Sequence, residues 1–197
     1  MLVCPRREVR FGEAESWVTV PRIPMCENVT GGIPRQGTDV QCAWTESAFH
    51  VLFTCIDAEP WATITQRDGN LWEEEVVEVF IDPVGDLESY FEVELNPLNT
   101  VLDLVLRRNR SGYRKDFAWD CEGLRTAAVR TREGWNAEFL IPFAALVPEA
   151  PKAGDQWRVN FHRIDRPKNS DRELSAWKPT LLATFHAPQR FGILQFG

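Results

Sequence analysis

At 197 residues, with 44% hydrophobic and 26% charged side chains, the chain can bury one sizeable core and falls among ordinary globular domains. Its formal charge of −7, from 22 Lys and Arg against 29 Asp and Glu, excludes nucleic acid or an anionic membrane as the main partner, because phosphate binding needs basic clusters. No run approaches the ~18 apolar residues of a membrane-spanning helix.

In chain order, Met1-Leu2-Val3-Cys4-Pro5-Arg6-Arg7 lacks the apolar stretch of a secretory leader. A chain that starts natively at Met1 is therefore expected in the cytoplasm, and one that has lost a leader outside it. Residues 1–16 read as a lead-in along a sheet edge. Trp17-Val18-Thr19-Val20 is predicted as a short strand stopped by Pro21, and residues 21–37, with three prolines and three glycines, as loop. Residues 40–44 and 48–56 form a hairpin over Thr45-Glu46-Ser47, with Phe49, Val51, Phe53 and Cys55 on one face. The loop 57–70 leads into Leu71-Trp72-Glu73-Glu74-Glu75, an acidic segment that becomes a strand. There Val77, Val79 and Ile81 alternate with Glu78, Phe80 and Asp82, the period of a strand with two unlike faces.

After the turn Pro83-Val84-Gly85-Asp86, residues 90–95 alternate Phe91, Val93 and Leu95 against Tyr90, Glu92 and Glu94, and residues 100–106 put Leu102, Leu104 and Leu106 on one side. Residues 107–122 read as irregular, with Arg107-Arg108-Asn109-Arg110 as a solvated loop. Residues 125–131 and 134–141 make a second hairpin, and residues 142–146 one helical turn opened by proline. Residues 156–163 alternate Trp157, Val159 and Phe161 against Arg158, Asn160 and His162; a long loop with Trp177 follows, and residues 191–196 close the chain. About nine or ten short strands with almost no helix predict an all-β fold, an antiparallel β-sandwich or jelly roll, as one domain over residues 1–197. The five cysteines, Cys4, Cys26, Cys42, Cys55 and Cys121, form no C-x-x-C pair, so zinc and dithiol chemistry find no support. A reduced state fits them, with room for a single bridge.

The faces opposite the aliphatic ones carry Glu78, Glu92, Glu94, Arg158, Asn160 and His162. If these strands share a sheet, one face becomes either an ordinary solvated surface or a field of donors and acceptors suited to sugar hydroxyls. Trp72, just before its strand, offers the flat apolar ring that a sugar's C–H face requires, or else a half-buried anchor. Asp82, Asp86 and Glu88 crowd one turn, which is compatible with a hard cation or with a plain acidic turn; no metal ligand is assigned.

Several segments together resemble family 9 carbohydrate-binding modules, in their bacterial, DOMON-like branch. Residues 71–82 are similar to the W-x-x-D-x-x-E-[IV]-[FY]-[IL]-D segment of that family. Tyr90 through Pro97, Gly134-Trp135 through Phe143, Gly154 through Asn160, and Pro188-Gln189-Arg190-Phe191-Gly192 resemble later segments in the same order. The resemblance implies a jelly-roll sandwich that holds a sugar chain end between two tryptophans, with polar side chains reading the hydroxyls and structural calcium in some members. Trp72 matches the first tryptophan and Glu78 the carboxylate six residues on. Phe185 stands at the second clamp position, with Trp177 as the alternative. Glu92 and Glu94 replace a hydroxyl-reading arginine and asparagine, and Glu75 replaces the motif's aspartate. The expectation is a non-catalytic binder of a mono- or oligosaccharide, with Trp72, Glu78, Glu92, Glu94, Arg158, Asn160, Trp177 and Phe185 as ligand-binding residues and no catalytic residue.

Two rival functions remain at this point. Glu78 with Glu92 or Glu94 is a candidate acid and nucleophile pair for glycoside hydrolysis, at the roughly 5–9.5 Å such pairs need. Haem-binding relatives of the same sandwich would draw on His50, His162, His186 or Met25 as axial ligands. No nucleophile elbow or phosphate-cradling glycine loop is present.

Overall fold

The computed structural model describes residues 1–168 and 170–197. Along the chain run β1 (Leu2–Cys4), β2 (Ile23–Pro24), β3 (Cys26–Glu27), β4 (Thr38–Trp44), β5 (Ala48–Ile56), β6 (Val76–Asp82) and β7 (Ser89–Leu95). They are followed by β8 (Val101–Asn109), β9 (Gly112–Asp116), β10 (Arg125–Arg130), β11 (Gly134–Pro142), the single turn α1 (Phe143–Leu146), β12 (Gln156–Asp165), β13 (Glu173–Ala176) and β14 (Gly192–Phe196). A nine-stranded sheet has the order β1-β14-β12-β6-β7-β8-β9, with β13 also on β12 and β3 on β13. A five-stranded sheet has the order β10-β11-β5-β4-β2. All pairings are antiparallel except β1 with β14, where the lead-in joins the edge in parallel.

The period-2 pattern decides how the sheets meet. Val77, Val79 and Ile81 of β6, Val93 and Leu95 of β7, and Val159 and Phe161 of β12 face Val51 and Phe53 of β5 and Phe139 of β11 across one apolar core. Phe161 meets Phe53 edge-on at 6.0 Å, so the two sheets form a β-sandwich. Gly134 sits at φ +154°, and a Cβ there would strike the Cys55 carbonyl oxygen; only glycine lets β11 start this close to β5.

The opposite face of the large sheet is not solvated. Leu71, Phe80, Tyr90, Leu102, Leu104, Leu106, Leu174, Phe185 and Phe191 build a second apolar cluster upon it. Segments expected as loop supply the cover: β13 pairs with the last four residues of β12, and β9 extends the sheet past β8. Residues 17–20 differ from expectation. A 3-10 turn, Ala14–Trp17, buries the indole of Trp17 under Nε1 donation to Glu138 Oε1 at 3.2 Å, and so no strand forms there. Among the described residues no helix is long and apolar enough to cross a membrane.

Candidate functional site

Where the cover is incomplete, a concavity of about 330 Å³ opens over the middle of the large sheet. Its floor comes from β6 and β7, where the register sets Glu78 beside Glu94, and Phe80 beside Glu92. Its walls carry Trp72, Lys115 of β9, Phe117, Leu174 of β13, and Thr184, Phe185 and His186. A hollow of about 560 Å³ beside β2 and β4 is larger, but among the described residues no aromatic ring lines it. The smaller one joins aromatic rings to converging polar groups, the combination expected of a ligand site.

Two anchors place the walls. Trp72 lies in a 3-10 turn, Leu71–Glu73, whose first residue is fully buried. The next residue, Glu74, fixes the preceding loop by accepting from the Thr63 and Ile64 amides at 2.7 and 3.1 Å. The segment carrying Thr184–His186 is pinned by Asn28, fully buried, which donates from Nδ2 to Thr180 Oγ1 and the Leu182 carbonyl, each at 2.8 Å. Asn28 lies in a stretch that read as featureless loop. Its role depends on contacts 152 residues away, which no local pattern reports.

The floor is electrostatically unusual. Glu78, Glu92 and Glu94 are only 2%, 1% and 1% exposed, and one carboxylate oxygen of each lies within 4.8 Å of the others. Burial first, then the Glu92 charge, hold the Glu78 carboxyl well above its ordinary range, against the pull of Lys115. Glu94 is held high by burial, then by Glu78 and Glu92. Lys115 Nζ stands 3.6 Å from Glu92 Oε1 and 4.7 Å from the centre of the Trp72 ring. Burial lowers the His186 pKa, so near neutral pH its ring is uncharged and its 3.8 Å approach to Glu92 is not an ion pair. Its Nδ1 pairs with the Tyr90 hydroxyl at 2.9 Å.

Trp72, Glu78, Glu92, Glu94 and Phe185 are thus brought together. Phe185 is mostly buried, its ring stacked on His162 at 4.1 Å. The other three expected residues lie elsewhere. Trp177 packs into the core between the sheets, against Phe161 and directly over Gly192, where a Cβ would collide with its ring. Asn160 spends its amide on the Lys178 backbone, donating to its carbonyl at 2.9 Å and accepting from its N–H at 3.0 Å. Arg158 pairs in register with Asp82, two residues further along β6 than Phe80. Lys115 also reaches the hollow, from a stretch that reads in sequence as irregular.

Of the four candidate haem ligands, His186 lines the concavity and the other three do not. His162 is enclosed between Phe80 and Phe185, Met25 belongs to the core between the sheets, and His50 lies on β5 of the smaller sheet. Acidic clusters close enough to chelate a divalent ion occur twice among the described residues, at Glu78, Glu92 and Glu94 and at Asp57, Glu75 and Asp165. The acidic turn after β6 is not one of them. Asp82 accepts from the Gly85 and Leu87 amides at 2.7 and 3.2 Å, so its carboxylate closes the turn.

In comparison with known proteins, the family model described as carbohydrate family 9 binding domain-like matches residues 12–196. A candidate carbohydrate-binding protein from Bacteroides uniformis is 19% identical, with a TM-score of 0.79 over 100% of this chain and 98% of its own. A family 9 carbohydrate-binding module from Caldicellulosiruptor kristjanssonii, solved with cellotriose, is 15% identical, with a TM-score of 0.75 over 99% of this chain and 92% of that one. The glucose complex of a family 9 module from the same organism is 16% identical, with a TM-score of 0.75 over 100% and 95%. At these identities the likeness is one of fold. No curated protein sequence matches the chain.

Proposed function

The chain belongs to the carbohydrate family 9 binding domain-like family, and from that premise we propose that the concavity beside Trp72 is where it holds a mono- or oligosaccharide. Membership makes it a carbohydrate-binding module rather than a catalytic domain. The observation that carries the site is the meeting of a part-buried indole and three buried carboxyl groups in one hollow of about 330 Å³. Trp72 stacks on a sugar ring, and Phe185 closes the other side. Glu78 and Glu94, held toward their protonated forms, each offer a donor and an acceptor, which is what a hydroxyl pairs with.

The relatives solved with cellotriose and glucose make those two sugars the first to try. Calorimetric titration of the wild type is expected to show binding. Trp72→Ala is expected to weaken it by about 1–3 kcal/mol, the cost of losing a stacked aromatic anchor, with the thermal transition still cooperative. Equal affinity in the variant would remove Trp72 from the site.

A structural calcium belongs, on this reading, at Asp57, Glu75 and Asp165 and not in the sugar site. Three buried carboxyl groups lie there with the guanidinium of Arg163 hydrogen-bonded to two of them, and among the described residues Asp165 Oδ2 has no hydrogen-bond partner. That donor set fits a hard, oxygen-seeking ion, whose contribution would be charge neutralisation. Millimolar calcium should raise the melting temperature and a chelator should lower it; a melting temperature indifferent to both would dismiss the ion.

A further inference from the structure

The concavity holds more acidic groups than a neutral sugar calls for. Against Glu78, Glu92 and Glu94 stand Lys115, the exposed Arg172 at the rim, and a His186 kept uncharged by burial. Only Lys115 lies within ion-pair distance as a full charge among the described residues, and it reaches Glu92 Oε1 alone. Glu92 Oε2 and Glu94 Oε2 are buried, in side chains 1% exposed that line the hollow, and among the described residues no amide, hydroxyl or cationic donor reaches them within hydrogen-bond distance. A buried acceptor left unpaired is costly, and its natural complement is a donor that also carries positive charge.

We propose that this site selects a sugar bearing a free, protonated amine, such as a β-1,4-linked glucosamine oligosaccharide, with its ammonium against Glu92 and Glu94 and its ring face on Trp72. The inference rests on reading the concavity as the sugar site, and names the class of sugar. Lys115 already displays the chemistry within the protein. Its ammonium lies between an indole face and a carboxylate, the two groups that together favour an organic cation. A bare divalent ion would use neither the aromatic wall nor the volume. An N-acetylated amine, being neutral, would bring no charged donor to Glu92 Oε2 and Glu94 Oε2. Cations near two buried carboxyl groups also draw them toward ionisation, so binding should release protons.

The test is calorimetry in calcium-free buffer at about pH 6, where an amine is protonated. Its titrants are the glucosamine trimer, the N-acetylglucosamine trimer, cellotriose and calcium chloride alone. The glucosamine trimer is expected to bind about tenfold tighter or more than either neutral trimer. Glu94→Gln should bring that ratio toward one, and Lys115→Met, which removes the internal competitor, should raise it. Cellotriose binding as tightly as the glucosamine trimer overturns the inference and leaves the sugar site standing, whereas no binding of any trimer overturns both. Calcium bound by the wild type and lost in Glu94→Gln replaces the amine with a metal and overturns it too. Should Glu94→Gln fail to fold, Lys115→Met decides, since an unchanged or lower ratio there sinks the proposal.

Discussion

Glu94 joins the stability of the protein to its binding chemistry. Its carboxyl, held well above the ordinary range by burial and then by Glu78 and Glu92, keeps a proton that the unfolded chain gives up above a glutamate pKa of about 4.3. The folded state therefore binds more protons than the unfolded one over that window, and by linkage its stability falls as pH rises through it. Glutamine keeps the shape and removes the ionisation. Glu94→Gln is expected to be more stable than the wild type at pH 8, by about 1–2 kcal/mol, with the gap closing as pH is lowered toward 5. Glu78, Glu92, Lys115, Tyr90, Arg172 and His186 also face this floor, with His162 behind Phe185, and taking an ionisable neighbour away from Glu78 acts in the same direction. Thermal melts at the two pH values check it; a variant less stable at pH 8 would refute it. Such a residue is legible in the sequence only as to face. Alternation put Glu94 on the face opposite Val93, but it could not tell a carboxyl in water from one under Phe185 and Trp72, because the cover comes from distant segments.

At the scale of elements, alternation worked where a strand has one aliphatic and one polar side, as in β6 and β7. It failed where cover replaced solvent. The run Leu102, Leu104 and Leu106 on β8 was the available signal: it shares its face with Glu92 and Glu94 through the β7–β8 register, and three leucines in a row on a supposedly wet face announce a second buried layer. The covering pieces escaped notice for a related reason. β13 is four residues long, and β9, Gly112-Tyr113-Arg114-Lys115-Asp116, has no apolar alternation, since its edge position leaves one side exposed. Yet β9 delivers Lys115 to Glu92 and Trp72. The aromatic residues show the same limit. Trp177 reads in sequence as an alternative to Phe185 for the second ring platform, and the space over Gly192 explains why it turns inward.

Across the whole molecule, the sandwich is tied by an ionic clamp that lies inside it. Arg163 comes from β12 of the large sheet and is fully buried. Its Nη1 donates to Thr38 Oγ1 at 3.0 Å and to the Ile56 carbonyl at 2.9 Å, both from the smaller sheet. Its Nη2 donates to Asp57 Oδ2 at 2.9 Å and Asp165 Oδ1 at 3.0 Å. Glu75 joins them with its carboxyl pushed up to about 9, by burial first and then by the bond to Asp57 and its charge. One cation therefore serves three carboxyl groups and both sheets. Arg163→Met keeps the aliphatic bulk but strands the carboxylates in a dry interior, where loss of one partner of a buried ionic network costs about 3–5 kcal/mol. At roughly 2–4 °C per kcal/mol for a chain of this size, the melting temperature should fall by about 10 °C. Calcium offers a discriminating control. If the cluster holds the ion as proposed, millimolar calcium should recover part of the loss in Arg163→Met, because the ion then replaces a charge that the variant lacks. A drop of only 1–2 °C would mean that water reaches the cluster and the clamp contributes little.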